Sequence, residues 1–226
     1  MPPLQLASKP WVATRVADSD LKDTRLSPLA VDERWLPLGQ GWLGSGTSGR
    51  INSGWARIQW STTALHFDVV FLAAAPKNRA ARLNERTWEL GDVCEVFVHA
   101  SHVNQYAEVH VTPENQRLQL LWPVGELERV RRQERSLESF MIDNPHWVRS
   151  SSYLGPGFWS VHVVIPFACL GLDFRTSTPT LRAAVCRYDY GERTEPVLSS
   201  TAPLTEPDYH RWTEWQLVDL AANPSD

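Results

Sequence analysis

The feature that most constrains the fold is a series of short runs in which apolar and polar residues alternate. These runs are residues 56–60, 65–71, 93–100, 105–112, 117–122, 158–167, 181–190 and 213–220. A period of two places successive side chains on opposite faces of a β-strand. Seven or more short strands separated by turn residues predict an all-β chain that folds as an antiparallel β-sandwich.

The first two runs predict a hairpin that turns at residues 61–64. The second strand of this hairpin presents one apolar face, made by Leu65, Phe67, Val69 and Phe71. His66 and Asp68 then point to the opposite face.

One stretch, residues 125–140, has helical spacing. Its incomplete apolar stripe consists of Leu127, Val130, Leu137 and Phe140. We therefore expect one or two short helices beside the strands. The glycine-rich residues 39–54 predict a surface loop, and their two G-x-G-x-x-G matches neither follow a strand nor open a helix, as phosphate binding requires.

Composition narrows the class of protein. A chain of 226 residues fits one domain. With 22 basic and 26 acidic residues, the net charge of -4 leaves no cationic surplus for nucleic acid. The three cysteines lie in apolar runs and predict buried free thiols, with a single disulfide as the alternative.

The sequence has no membrane-spanning signal, because no segment reaches about 18 consecutive apolar residues. Its first residues lack the basic start and apolar stretch of a signal peptide. We therefore expect no membrane partner, and cytoplasmic residence for the sequence as it stands, or secretion if a leader has been removed. The oligomeric state is left open.

Short catalytic motifs are absent: the sequence has no G-x-S-x-G, H-E-x-x-H, C-x-x-C or P-loop pattern. The best metal candidate combines His99, His102 and His110 with Glu108, although a solvated polar face also explains these residues. Haem is disfavoured because Met141, the only internal methionine, has no distinctive partner.

Asp92 and Glu95 lie close together in the stretch "RTWELGDVCEVFVHA". A catalytic carboxylate pair is disfavoured, because residues three apart on a strand face opposite sides. We expect Asp92 to end the preceding loop by accepting hydrogen bonds from backbone N–H groups. Glu95 then shares an outer face with Phe97 and His99.

The outer faces of three predicted strands collect acids, histidines and aromatics. They carry Val93, Glu95, Phe97 and His99, then Tyr106, Glu108, His110 and Thr112, then Arg182, Ala184, Cys186, Tyr188 and Tyr190. A bulge near the end of the last strand would bring Arg187 to the same face. This mixture suits a sugar, because polar groups bond its hydroxyls and aromatic rings stack on its C–H patches. The alternative is an ordinary solvated sheet face.

Four stretches in order resemble successive blocks of the family 9 carbohydrate-binding module and its DOMON-like relatives. They are "TWELGDVCEVFVHA", "YAEVHVTPENQ", "GFWSVHVVIPFACLGL" and "CRYDYGERTEPVLSSTAPLTEPDYHRWTEWQLVDL", and the resemblance runs from about Trp11 to Leu220. It implies an immunoglobulin-like or DOMON-like β-sandwich that is not an enzyme and that binds glycans between two tryptophans. Some members hold structural calcium, but no D-x-D-x-D loop is present here, so calcium stays open.

The resemblance also implies site residues. Trp88 matches the first tryptophan and Glu95 the acid of the family pattern, with one residue more between them than in some members. The second aromatic position is matched by Tyr209, His210 or Trp212.

Two further positions carry over from the family. Arg187 matches a recurring arginine before the "YDY" block, and His110 falls where some members carry a sugar-contacting basic residue. Two alternatives to a sugar-binding module remain: a protein-interaction module that keeps the sandwich without a sugar, and a metal-dependent enzyme that uses His99, His110 and Glu108.

Overall fold

The computed structural model describes residues 9–17, 25–44, 51–172 and 180–221. Within them the chain is mostly β-strand, as predicted. The strands are β1 (Trp11–Arg15), β2 (Leu36–Pro37), β3 (Gly54–Trp60), β4 (Ala64–Leu72), β5 (Val93–Ala100), β6 (Gln105–Val111), β7 (Arg117–Pro123), β8 (Arg149–Gly155), β9 (Phe158–Pro166), β10 (Leu181–Asp189), β11 (Val197–Ser200) and β12 (Gln216–Leu220). One α-helix, α1, spans Glu126–Arg131.

The strands form two facing sheets that share β1. The first sheet has the order β7-β6-β5-β10-β12-β1, with β11 paired to β10. The second has the order β1-β3-β4-β9-β8, with β2 paired to β3. The predicted β-sandwich is thus confirmed.

The sandwich is not strictly antiparallel, which corrects the prediction at one strand. The first half of β1 pairs in parallel with β12, and Thr14 and Arg15 then pair in parallel with β3. β1 therefore crosses from one sheet to the other and runs in the same direction as both of its neighbours.

The core between the sheets follows the alternation in the sequence. β3 and β4 form the predicted hairpin. The predicted inward side chains of β4 are fully buried: Leu65, Phe67, Val69 and Phe71. Inward side chains from β5 and β6 meet them, namely Cys94, Val96, Val98, Ala107, Val109 and Val111. Cys94 is a free thiol, as predicted, and so are Cys169 and Cys186.

The stretch predicted as helical is divided. α1 ends at Arg131, and a 3-10 turn covers Leu137–Phe140. The break lies at Gln133, whose φ of 60° is incompatible with a right-handed helix. Among the described residues, no helix is long and apolar enough to span a bilayer.

The outer face of the first sheet is covered rather than solvated. A second apolar cluster lies on it, with Phe97, Tyr106 and Trp122 buried at its centre. Leu127, Val130 and Leu137 pack against this cluster, and Phe140 is buried within it. The apolar stripe of residues 125–140 thus covers the sheet, and the alternative of an ordinary solvated face is wrong.

Candidate functional site

A cavity of about 430 Å³ lies on the covered outer face of the first sheet. Its floor comes from β5, β6 and β7, one wall from Trp88 and Tyr188, and another from α1. The segment 207–210 closes a further side. Arg131 of α1 and Asp208 form an ion pair at 2.9 Å, which joins two of these walls.

The floor carries three buried polar side chains, Glu95, Glu108 and His110. Glu95 lies directly opposite His110 in the β5–β6 ladder, and Glu108 is two residues before His110 on the same face. His110 Nε2 lies 2.6 Å from Glu108 Oε1 and 3.3 Å from Glu95 Oε1. The alternation therefore brings two acids and an imidazole into one contact.

Burial and mutual contact set the charges of this group. Burial raises the pKa of Glu95 to about 8, and the charge of Glu108 adds to that shift while His110 opposes it. Burial acts against charging of His110, but the two carboxylates outweigh it and raise the pKa of His110. Burial would also raise the pKa of Glu108, yet the nearby His210 and His110 lower it overall. Burial and the neighbouring charges thus move the pKa values of the two carboxyl groups in opposite directions, upward for Glu95 and downward for Glu108.

Trp88 is held by the 3-10 turn Thr87–Glu89, which directly precedes β5. Its indole meets the His110 ring edge to face, with centroids 5.6 Å apart. Its carbonyl accepts a hydrogen bond from the Tyr190 hydroxyl at 2.5 Å. The buried Thr87 hydrogen-bonds His110 Nδ1 through Oγ1 at 2.8 Å. The turn is therefore held at two points, by His110 of the floor and by Tyr190.

Asp92 has the predicted structural role at the end of this turn. Its two carboxylate oxygens accept hydrogen bonds from the backbone N–H groups of Lys77 and Tyr190, at 3.0 and 3.1 Å. The preceding Gly91 has a φ of 145°, and a Cβ there would lie 2.3 Å from the Lys77 carbonyl oxygen. Only glycine permits this approach, so Gly91 and Asp92 together position Trp88 ahead of β5.

Five of the seven residues predicted to bind a ligand line this one cavity: Trp88, Glu95, His110, Tyr209 and His210. Tyr209 is held firmly, because its hydroxyl donates to the Arg187 carbonyl and accepts from the Ser199 N–H, at 2.7 and 2.9 Å. His210 Nδ1 contacts the Tyr106 hydroxyl at 2.9 Å.

Trp212 does not line the cavity with Trp88. Its ring stacks on His99, with centroids 4.5 Å apart and planes inclined by 36°. His99 is four residues beyond Glu95 on β5, which is about 13 Å along the strand. Trp88 and Trp212 therefore lie over opposite ends of β5 and do not face one another across a single ring-sized gap.

Arg187 lies on the other side of the sheet. β10 pairs with β5 without interruption from Leu181 to Tyr188, so the bulge considered in the sequence analysis is absent and Arg187 points inward. It is only 1% exposed, and its guanidinium lies 4.8 Å from the centroid of Phe71. It donates to the Leu72 carbonyl at 3.1 Å and contacts Asp189 at 3.2 Å.

Several cavity residues were missed by the sequence analysis. Glu108 was expected on the outer face and as a metal ligand, and Tyr188 on the outer face, but neither was predicted as a sugar-binding residue. Both are signalled by alternation, since Glu108 shares a face with His110 and Tyr188 shares one with Cys186. Arg131 and Asp208 had no such signal, because they reach the cavity through a helix and a loop.

The predicted metal set is only partly assembled. Glu108 and His110 meet on the floor, but His99 stacks on Trp212 at the far end of β5 and His102 is exposed in the turn after it. Met141 packs against the outer apolar cluster.

The chain is similar to known proteins in structure but not in sequence. No protein-family model and no curated protein matches the chain. A solved structure from Bacteroides uniformis, itself proposed to be a carbohydrate-binding protein, matches with a TM-score of 0.64 and 16% identity, over 93% of this chain and 98% of that one. A family 9 carbohydrate-binding module from Caldicellulosiruptor kristjanssonii in complex with cellotriose matches with a TM-score of 0.59 and 11% identity, over 93% and 94% of the two chains.

The same kind of module from that organism in complex with glucose matches with a TM-score of 0.56 and 11% identity, over 94% and 98%. The chain thus has the fold of family 9 carbohydrate-binding modules, and the resemblance stated from the sequence is confirmed at the level of the fold.

Proposed function

We propose that the cavity over β5 and β6 binds carbohydrate and that the protein is a non-catalytic glycan-binding module. The observation that carries this proposal is the composition of the cavity. Aromatic rings of Trp88, Tyr188 and Tyr209 and the polar groups of Glu95 and His110 surround one space of about 430 Å³. This volume is within the range of pockets that hold small molecules.

The chemistry of the lining suits a pyranose ring. Aromatic faces pack against the apolar C–H patches of a sugar, while directional polar groups select its hydroxyls. Two polar groups of the cavity are free to form hydrogen bonds with a ligand. Among the described residues, neither the Glu95 carboxyl nor the Tyr188 hydroxyl has a hydrogen-bond partner, although Glu95 lies 3.3 Å from His110 and close to Glu108.

The fold likeness supports the same proposal. The two family 9 modules were solved with cellotriose and glucose, and both span nearly all of this chain. In this protein the outer face of the first sheet carries the cavity, and Trp88 and Glu95, which the resemblance had suggested as site residues, both line it.

The outer face of the first sheet has space for more than one sugar ring. A second cavity of about 500 Å³ shares Trp88 and Leu137 with the first and is lined further by Arg86, Gln133 and Arg135. Trp88 therefore separates two spaces, and we expect an oligosaccharide to bind more tightly than a single sugar because it fills both.

The proposal is tested by calorimetric titration of the protein with monosaccharides and with oligosaccharides of two to four units, glucose and cellotriose among them. Saturable binding, tighter for the oligosaccharides, is expected. Absence of binding across the panel, together with an oligomer in solution whose interface covers Trp88, would favour the protein-interaction alternative instead.

Two tyrosines in the cavity allow an effect on sugar binding to be distinguished from an effect on stability. Tyr188→Phe removes a hydroxyl without a protein partner, so we expect unchanged stability and a loss of sugar affinity of about fivefold, the value of one net hydrogen bond of about 1 kcal/mol. Tyr209→Phe removes a hydroxyl that is fully used by the protein. It should therefore lower the free energy of unfolding by about 1–3 kcal/mol, because a buried N–H and a buried C=O lose their partner.

Both variants are measured by urea unfolding and by titration with the best sugar of the panel. If Tyr188→Phe bound as well as the unmodified protein, the ligand would not reach Tyr188. If Tyr209→Phe were as stable as the unmodified protein, the structural assignment of its hydroxyl would be wrong.

A further inference from the structure

Three side chains on the cavity floor are arranged so that they could bind one metal ion. One ligand atom each from Glu95, Glu108 and His110 lies within 4.8 Å of the others. In the part of the chain that the structure describes, this is the one group of three or more histidine, cysteine, aspartate or glutamate side chains with that property. All three residues are buried.

We propose that Glu95, Glu108 and His110 bind a divalent transition-metal ion, with Zn²⁺ as the reference ion, at the floor of the cavity. An imidazole nitrogen and carboxylate oxygens are ordinary zinc ligands, with bonds of about 2.0–2.2 Å. This proposal stands on the three side chains themselves and does not depend on whether the cavity binds sugar.

The spacing of the ligand atoms is close to what such an ion requires. Tetrahedral coordination at those bond lengths separates the ligand atoms by about 3.4 Å. His110 Nε2 and Glu95 Oε1 are 3.3 Å apart, and His110 Nε2 and Glu108 Oε1 are 2.6 Å apart. The second distance must open by roughly 0.8 Å, so an ion would replace the hydrogen bond between His110 and Glu108.

Thr87 and Trp122 hydrogen-bond two of the proposed ligands, His110 and Glu108, and orient them. Thr87 Oγ1 hydrogen-bonds His110 Nδ1 at 2.8 Å, which leaves Nε2 directed at the two carboxylates. The indole N–H of Trp122 donates to Glu108 Oε2 at 2.5 Å, which leaves Oε1 directed at His110. Contacts of this kind fix the tautomer and orientation of metal ligands. Here they are formed by residues that are themselves fully buried.

The carboxylate of Glu95 is an independent indication of a ligand. Glu95 is only 3% exposed, lines the cavity, and accepts no hydrogen bond from any described residue. Its ion-pair contact, His110 Nε2 at 3.3 Å, is already hydrogen-bonded to Glu108. A buried acid without a hydrogen-bond partner is costly, and such groups are normally paired or coordinate metals. An ion placed between Glu95, Glu108 and His110 supplies that partner.

Three protein ligands would leave one coordination position on the cavity side. This arrangement is typical of zinc sites that keep a position for water or a ligand oxygen. A bound sugar would offer hydroxyl oxygens at that position, so an occupied metal site and a bound sugar would contact each other directly.

The test uses the full chain, prepared without a histidine tag and treated with a chelator, in a calorimetric titration with Zn²⁺ and no sugar present. Co²⁺ is then titrated as a spectroscopic probe, since its visible absorption reports coordination by the protein. We expect one ion per chain with both metals. Absence of one-to-one binding would overturn the proposal, whatever the sugar panel shows.

Two substitutions locate the ion. Glu95→Gln removes a ligand that makes no hydrogen bond within the protein, so the fold should be retained. We expect Zn²⁺ affinity to fall by more than about 100-fold, because loss of a contact that only orients a metal ligand already costs about 10–100-fold. His102→Gln, at an exposed histidine of the predicted but unassembled set, should bind as the unmodified protein does. Equal affinity of the Glu95 variant, or a loss in the His102 variant, would assign the ion to another place.

Discussion

Replacing Arg187 by alanine should lower the free energy of unfolding by about 3–5 kcal/mol, the usual cost of removing one partner from a buried charged pair. The guanidinium is buried between the sheets, where it contacts Asp189 at 3.2 Å and lies over the ring of Phe71. Its loss would leave the buried Asp189 with only Asn52 and the half-exposed Arg193 as partners, and would remove one donor from the Leu72 carbonyl. Urea unfolding followed by tryptophan fluorescence measures the change.

A surface arginine serves as a control that distinguishes the loss of a buried guanidinium from the loss of a positive charge. Arg132→Ala removes a guanidinium that pairs with Glu134 at the surface, and we expect a change of only about 0–1 kcal/mol. The double variant Arg187→Met with Asp189→Asn should regain part of the lost stability, because direct partners couple by about 0.5–3 kcal/mol. If Arg187→Ala were no less stable than Arg132→Ala but no longer bound sugar, the arginine would belong to the binding site after all.

The position of Arg187 shows which part of the site can be predicted from sequence. The regular alternation of β5, β6 and β10 assigns Glu95, Glu108, His110 and Tyr188 to one face, and the structure agrees. The same rule assigns Arg187 to the inner face. A bulge would have moved Arg187 to the outer face, but the ladder continues through Arg187 without one.

The fold was predictable where the apolar residues of a strand share one face. Strands with one apolar face, such as β4, follow the alternation of the sequence closely. β8 was missed because its residues Arg149–Gly155 are polar and small, and its pairing with β9 is what makes it a strand. β1 was missed because five residues carry little periodicity, and its parallel pairing depends on strands far away in the sequence.

The cover of the first sheet could not be predicted from the strands alone. A sheet face with Glu95, His99 and His110 on it has the pattern of a solvated surface. It becomes a cavity only because α1 and the 3-10 turn at Leu137–Phe140 lay their apolar side chains over it. Whether a polar face is solvated or enclosed is decided by tertiary packing, which the alternation of a strand does not record.

Trp88→Ala is expected to weaken binding of the best sugar by about 30-fold or more, which corresponds to about 2 kcal/mol, the threshold for a dominant contact at an interface. The indole lines both cavities, so its removal takes away a wall from each. Stability should change less than affinity, because Trp88 is only partly buried and the turn that carries it is held by the backbone contacts of Asp92. Titration calorimetry and urea unfolding on the same samples measure the two effects.

Trp212→Ala is the matched control, since Trp212 is also a partly buried tryptophan on the outer face of the first sheet. It stacks on His99 at the other end of β5, so its removal should leave sugar affinity within about twofold, a difference below 0.5 kcal/mol. An equal loss in both variants would mean that the ligand extends over the whole outer face as far as His99. Loss in Trp212→Ala alone would move the site away from the cavity, because the only aromatic surface lost would be the one that covers His99.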